Sequence, residues 1–337
     1  MLEVNNLKTH FKTQDGVVKA VDGVSFSLER GETLGIVGES GSGKSVTALS
    51  LMQLNPKPPV EYPEGEILFE GQNLLEVSES RMQKIRGNDI AMIFQDPMTS
   101  LNPVFTIGNQ IMEAIRIHQQ VSKGEAKEQT VKVLRDVGIP RPEERASDYP
   151  HQFSGGMRQR AMIAMSLSCN PKVLIADEPT TALDVTIQAQ ILELMVNLQE
   201  EYGTAIIMIT HDLGVVAKIA DNVLVMYAGR AVEQGPTDPI FYDPLMPYTW
   251  SLLRSLPRLD TAGETRLLPI KGQPPSLIFL PEGCNFSPRC PFVKDKCHEV
   301  DPVLENKRPG HSAACILSIE ELEASKNRVD EELGVQG

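Results

Sequence analysis

Residues 38–45 read Gly38-Glu39-Ser40-Gly41-Ser42-Gly43-Lys44-Ser45, the spacing Gly-x4-Gly-Lys-Ser. Glycines let a backbone approach phosphate oxygens closely, and the N–H groups of such a loop point at an anion together with the helix N-terminus that follows. Lys44 adds a point charge for the outer phosphates, and the Ser45 hydroxyl is a hard oxygen suited to Mg²⁺. The pattern carries weight only between a strand and a helix. Leu34–Val37 is a short apolar run that reads as a buried strand, and the chain from Val46 onward can form a helix. The loop is therefore expected to bind a nucleoside triphosphate.

Other residues stand where chemistry could be done. The apolar run Val173–Ala176 ends in Asp177-Glu178. The first acid suits Mg²⁺, often through water, and the second is placed to polarise an attacking water. Ile90–Phe94 ends in Gln95, and Ala205–Thr210 ends in His211. Strand ends of this kind form the face where α/β sheets bind ligands. Ser154-Gly155-Gly156 opens a helical stretch, with Ser154 as N-cap and two glycines leaving amides exposed. That is a second anion site by the same physics as the first. Taken singly, each has an ordinary structural reading as a strand terminus, a neutral hydrogen-bonding His or a solvent-facing cap. Phe11 likewise reads alone as a core aromatic. Cys284, Cys290, Cys297 and Cys315 are spaced Cys-x5-Cys-x6-Cys-x17-Cys. Four thiolates can hold Zn²⁺ or an iron–sulfur cluster, and this spacing does not choose between them. Cys169 stands apart and reads as a buried structural thiol.

The elements that must position these groups follow from periodicity. Residues 2–30 alternate apolar and polar side chains, which predicts antiparallel strands with turns at Asp15-Gly16 and Asp22-Gly23. A proline-rich loop precedes an edge strand at 66–70. Asn109–Gln119 and Glu125–Val137 are helical by period, with Gly138 as a stop, and form a helical insertion between strands. Asp184 starts another helix that runs to about Glu200, short strands return from Asn222, and Tyr248–Ser255 is helical. The fold class is α/β, with a mixed core sheet, an antiparallel β subdomain, a helical insertion and a small cysteine-bearing C-terminal appendage. Residues after Ile319 carry six acids against two bases and read as a frayed, solvated tail.

The 337 residues exceed one ordinary core, and a net charge of −13 argues against nucleic acid or anionic lipid as the main partner. No apolar run approaches the ~18 residues that a membrane span needs. Met1-Leu2-Glu3-Val4 reads as the start of a strand, without a basic leader, which predicts a cytoplasmic protein. Under reducing conditions a cysteine cluster suggests metal rather than bridges.

With these motifs in order, the chain resembles the ATP-hydrolysing subunit of ATP-binding cassette transporters over about residues 1–260. Gly38–Ser45 matches Walker A, Gln95 the Q-loop, Phe153–Met157 the signature, and Val173–Asp177 Walker B. The resemblance further makes Glu178 the catalytic acid, Ala182–Asp184 the D-loop, His211 the switch histidine and Phe11 the adenine-stacking position. Phe153 and Met157 replace the commonest Leu and Gln of the signature, while its Ser-Gly-Gly core is intact. It implies ATP contacts from 38–46, Gln95, Ser154, Gly155, Gly156 and Asp184, with Mg²⁺ on Ser45, Gln95 and Asp177. Catalysis would rest on Glu178, His211 and Lys44.

Longer stretches are similar to the oligopeptide and dipeptide importer branch, oligopeptide members foremost: Met92–Pro103, Tyr149–Arg160, Pro247–Thr249, Pro257–Asp260, Gly272–Ser276 and Gly283–Pro291. Sister members import nickel, glutathione or sugars, and soluble cassette ATPases outside transport are the other class to weigh. The resemblance implies two facing cassettes, the second of them a different chain or an identical copy. It also implies two transmembrane permease subunits, indirectly an extracytoplasmic peptide-binding protein, no nucleic acid, and a peripheral place on the cytoplasmic face of the cell membrane. It favours a [4Fe–4S] cluster over Zn²⁺ on the four cysteines. The expected domains are a nucleotide-binding core at 1–97 and 161–260, a helical signature subdomain at 98–160, an extension at 261–318 and a flexible tail at 319–337.

Overall fold

A computed structural model describes residues 1–95, 100–180, 184–255 and 269–333 of the chain. The first two strands, β1 (Leu2–Thr13) and β2 (Gly16–Leu28), form one long antiparallel hairpin in which Thr13 faces Gly16 and Leu2 faces Leu28. The expected turn at Asp15-Gly16 is present. The one at Asp22-Gly23 is not: β2 runs through it, and Gly23 is the extra residue of β2 between the pairs Leu7–Val24 and Lys8–Asp22, beside a second slip in β1 around Asn6. An extra residue in one strand of a pair produces the same local break in alternation as a turn.

The next strand, β3 (Thr33–Val37), is buried along its whole length and leads into the glycine loop and the helix Lys44–Leu51. Strands β4 (Val60–Glu61), β5 (Glu66–Phe69) and β6 (Gln72–Asn73) join the hairpin in a five-stranded sheet. β5 lies between β1 and β6, so it is an inner strand rather than the expected edge.

The second sheet carries the chemistry. Its further strands are β7 (Ile90–Ile93), β8 (Val173–Asp177), β9 (Ala205–Ile209), β10 (Asn222–Tyr227), β11 (Arg230–Pro236), β12 (Glu305–Arg308) and β13 (His311–Ala313). The order is β12-β13-β11-β10-β3-β9-β8-β7, parallel from β10 to β7 and antiparallel on the β11 side. β7, β8 and β9 are buried at every residue, as strands covered on both faces must be. That is why each reads in the sequence as a continuous apolar run.

Between β7 and β8 lie the helices Ile107–His118, Lys123–Asp136 and Gly155–Leu167, capped by the hydroxyls of Thr106, Ser122 and Ser154. Ile111, Ile115, Leu134 and Phe153 of the insertion share one apolar cluster with Leu174 and Met208 of the sheet. The expected boundary at 160/161 falls inside the helix Gly155–Leu167.

The C-terminal region is sewn to the core rather than appended to it. β13 extends the sheet by pairing with β11, and Phe286 packs edge-on against Tyr227 and Tyr248. Residues 319–333 form a helix, not a frayed tail. Leu322 is buried beside Trp250 and Phe292, and Glu321 and Glu323 pair with Lys294 and Arg308. The acids that suggested solvation lie on the outer face of an amphipathic helix, and some of them find cations of the extension.

Candidate active site

The parallel strands deliver their carboxyl ends to one edge of the sheet, and the glycine loop, Gln95, Glu178 and His211 lie just after them. Gly38 and Gly43 must be glycine. A Cβ on Gly38 would lie 2.2 Å from the Met226 carbonyl oxygen, and one on Gly43 would lie 2.3 Å from that of Ala20. Both also have left-handed backbone, with φ of +149° and +104°. The loop is thus pressed between β10 and β2. Lys44 Nζ donates to the carbonyl oxygens of Gly38 (2.7 Å) and Glu39 (3.0 Å), which fixes the ammonium inside the loop. Ser42 is buried while Ser40, Gly41 and Ser45 are exposed, and Val46 packs half-buried on the core.

Across the edge, Ser45 Oγ donates to Asp177 Oδ1 at 3.2 Å, so strand β8 and the helix after the loop meet through two hard oxygens. Glu178, the next residue, has a left-handed backbone (φ +48°) without being glycine. Such strain persists only where the surroundings impose it, and it concentrates at active sites. Here Glu178 N donates to the Ile209 carbonyl of β9. The side chain is held from both sides: Gln95 Nε2 donates to Oε2 at 2.9 Å, and His211 Nδ1 lies 3.2 Å from Oε1. The ends of β7, β8 and β9 therefore converge on one carboxylate.

Charge is balanced tightly in this corner. Burial lowers the Lys44 ammonium pKa, against the opposing pull of Glu178, Asp177 and Glu39. Burial raises the Asp177 carboxyl and the neighbouring Glu178 charge adds to this, while Ser45 and Lys44 pull it back down. A carboxylate kept from water, facing a hydroxyl, suits a divalent cation bound through Ser45 and Asp177.

The remaining residues lie on other elements. Ser154 caps the helix Gly155–Leu167 by accepting from Met157 N, and its hydroxyl and Gly155 are exposed. A Cβ on Gly156 would come within 3.0 Å of Ile187, so this helix start lies against the helix Val185–Tyr202, whose N-cap is Asp184. Ala182 and Leu183 lie outside the described residues. Phe11 sits half-exposed in β1 opposite Val18 and Val60. Cys169 is buried as expected.

The four C-terminal cysteines gather in one region. Cys284 N donates to the Cys297 carbonyl, while Cys284, Cys290 and Cys315 pack on the cluster around Phe286 and Tyr227. Yet among the described residues no three His, Cys, Asp or Glu side chains are arranged to hold a metal ion. The four thiols thus lie near one another without a metal-holding arrangement among the described residues. Their surroundings are largely apolar, and burial pushes Cys290 up to about 12 and Cys315 up to about 11.

Sequence reasoning missed two residues at the glycine loop. Tyr248 Oη accepts from Glu39 N at 2.8 Å, and Arg289 grips the Glu39 carboxylate. The one available signal was the acid itself, an odd neighbour for phosphates unless a cation answers it.

A glycine loop with a lysine, and a held carboxylate, on the carboxyl edge of a parallel sheet, with a helical insertion whose last long helix opens on Ser-Gly-Gly, define a nucleotide-hydrolysing cassette. The family model described as ABC transporter matches residues 21–181, and the one described as oligopeptide/dipeptide transporter, C-terminal region, matches 232–297. The oligopeptide transport ATP-binding protein OppD of Bacillus subtilis is 57% identical over 90% of this chain and 85% of its own length. That of Escherichia coli is 53% identical over 96% and 94%. Among solved structures, the dimeric ATP-binding cassette MJ0796 bound to ADP and Pi aligns with a TM-score of 0.63 at 26% identity, covering 70% of this chain and 99% of its own. The chain belongs to the ABC transporter family of ATP-hydrolysing subunits.

Proposed function

We propose that this chain hydrolyses ATP to power import of oligopeptides or dipeptides through a membrane permease. The relatives named above are peptide-transport subunits along nearly their whole length, and the region typical of such transporters is present. The chemical half of the reading is carried by one observation, the Glu178 carboxylate held between Gln95 and His211 at the carboxyl edge beside Lys44.

In this reading the amides of 38–46 and Lys44 bind the β- and γ-phosphates. Ser45, Asp177 and Gln95 would hold Mg²⁺, which supplies charge neutralisation to the phosphates when bound. Glu178 orients the attacking water and takes its proton, His211 holds Glu178 and reaches the γ-phosphate, and Phe11 stacks on adenine. Positioning and electrostatics of this kind are most of phosphoryl-transfer catalysis. One loop already serves one side of the triphosphate, so the Ser154-Gly155-Gly156 start, with Ser154 and Gly155 exposed and Asp184 nearby, serves a triphosphate held by a second cassette. The pair closes over ATP and opens after cleavage.

The second cassette is a different chain of the same type, and the pair rests on two permease subunits fed by a peptide-binding protein outside the membrane. The chain itself attaches peripherally on the cytoplasmic face; among the described residues no helix is long and apolar enough to cross a membrane. The [4Fe–4S] cluster or Zn²⁺ on Cys284, Cys290, Cys297 and Cys315 rests on the resemblance alone, and no step is routed through it. Iron, sulfide and zinc analysis of anaerobically purified protein tests it.

The deciding experiment purifies the intact complex, identifies its subunits, and assays ATP hydrolysis with candidate cargoes. Permease subunits and stimulation by peptides are expected. Stimulation by nickel, glutathione or sugars instead, or purification without any membrane subunit, would overturn the peptide reading.

A further inference from the structure

Glu39 is the only acid inside the glycine loop, directly after Gly38. Its carboxylate would face the same region as the phosphates unless something neutralises it and turns it away. That cation comes from 250 residues further along the chain. Arg289, in the short helical turn Ser287–Arg289 of the C-terminal region, makes a two-pronged contact with Glu39. Nη1 donates to Oε2 at 2.6 Å and Nη2 to Oε1 at 3.0 Å.

The guanidinium has little freedom to be elsewhere. Its side chain is only 4% exposed, Nε donates to the Lys271 carbonyl at 3.1 Å, and Nη1 also reaches Tyr227 Oη at 3.2 Å. The backbone of Glu39 is held as well, by Tyr248 Oη at its N–H and by Lys44 Nζ at its carbonyl. Tyr227, Tyr248 and Phe286 form a buried ring cluster beneath, with centroids 4.6–5.4 Å apart. Planar, two-pronged guanidinium–carboxylate pairs fix geometry in a way a lysine does not.

We infer that Arg289 is a positioning residue for ATP binding: it neutralises and aims Glu39, so the phosphate loop takes its working shape only with the C-terminal region docked on it. The inference rests on the reading that residues 38–46 bind ATP.

The test measures ATP affinity, and KM against kcat, on the full chain for wild type, Lys44→Ala, Arg289→Ala, Arg289→Lys, Glu39→Gln, and Glu39→Gln combined with Arg289→Ala. Thermal midpoints are followed alongside. Arg289→Ala should bind ATP ~10–100-fold more weakly, seen as a raised KM with kcat at saturation nearly unchanged, the signature of lost uniform binding. Arg289→Lys should fall in between, since it keeps the charge and loses the fork. Adding Glu39→Gln to Arg289→Ala should recover most of the affinity, because the unanswered charge is gone. A purely structural role for Arg289 gives no such rescue. Should Arg289→Ala not fold, Arg289→Lys and the double variant carry the comparison.

ATP affinity within twofold of wild type in folded Arg289→Ala or Arg289→Lys, or no recovery in the double variant, overturns the inference. If instead wild type itself binds no ATP, or Lys44→Ala binds as wild type does, the reading of the loop fails and the inference falls with it.

Discussion

Replacing Glu178 by Gln exchanges one carboxylate oxygen for an amide nitrogen and leaves the shape unchanged. Both flanking contacts have an answer in the amide. Its oxygen can accept from Gln95, as Oε2 does at 2.9 Å, and its nitrogen can face His211, which lies 3.2 Å from Oε1. The strained backbone at φ +48° is the same for both residues, so the variant should fold. The base is lost. General-base help contributes ~10²–10⁴-fold, so the lower bound is a 100-fold loss, about 2.7 kcal/mol on the barrier. ATP binding should not suffer. The Glu178 charge adds to the upward shift of Asp177, and removing it favours the ionised Asp177 that Mg²⁺ needs. Glu178→Gln should therefore hold ATP at least as tightly as wild type and release phosphate at least ~100-fold more slowly at saturating Mg-ATP. Rapid-quench turnover and equilibrium ATP binding on the same preparation check both halves. Near-normal turnover would remove Glu178 from its role, and lost binding would show that the carboxylate shapes the site rather than serving as base.

Glu233 is fully buried and accepts from Leu245 N, Met246 N and His311 Nε2, tying β11 to β13 and to the chain before the helix Pro247–Arg254. Glu233→Ala leaves three donors without an acceptor and should cost roughly 3–5 kcal/mol in urea unfolding, with a loss under ~1 kcal/mol counting against the staple. Gly43→Ala would set a methyl 2.3 Å from the Ala20 carbonyl at φ +104°. It should cost about 3 kcal/mol and weaken ATP binding at least ~tenfold by titration. Asp22 supplies a pH test. Burial by itself would raise its carboxyl, but the hydrogen bond and charge of Arg230 outweigh that and hold it below its ordinary 3.8. Stability from a depressed carboxyl is complete above the unfolded value and lost as pH falls through the folded one. Arg230→Ala should therefore be about 2 kcal/mol less stable than wild type near neutral pH, and the gap should close as urea midpoints are followed below pH 3.8.

Much of the site was legible because its chemistry is local. A glycine loop needs only its own residues and the strand before it, and fully buried strands such as β8 and β9 show as unbroken apolar runs. Gln95, Glu178 and His211 could be foreseen as a group because parallel strands place their carboxyl ends on one edge, whatever their spacing in the chain. What escaped depends on partners that periodicity cannot reveal. The break at Gly23 looks the same whether the chain turns or bulges, and only the pairing with β1 decides. The helix Ile319–Leu333 has few apolar residues, and its acids suggest solvation until Lys294 and Arg308 are known to face them. The cysteine spacing left the choice of metal open and says nothing of what packs on the thiols, which here is the apolar cluster around Phe286.

A C-terminal region attached by a linker would leave the sheet edge at β11 and the Glu39 carboxylate as they are in the cassette alone. Here β13 covers that edge, and Arg289 answers that charge. An open sheet edge invites pairing with other chains, and an unanswered carboxylate among phosphate-binding amides opposes the ligand. Both costs fall on the nucleotide-binding core if the region is displaced. The core and the extension thus share one sheet and one ion pair under two sequence signatures, and the glycine loop lies where they meet.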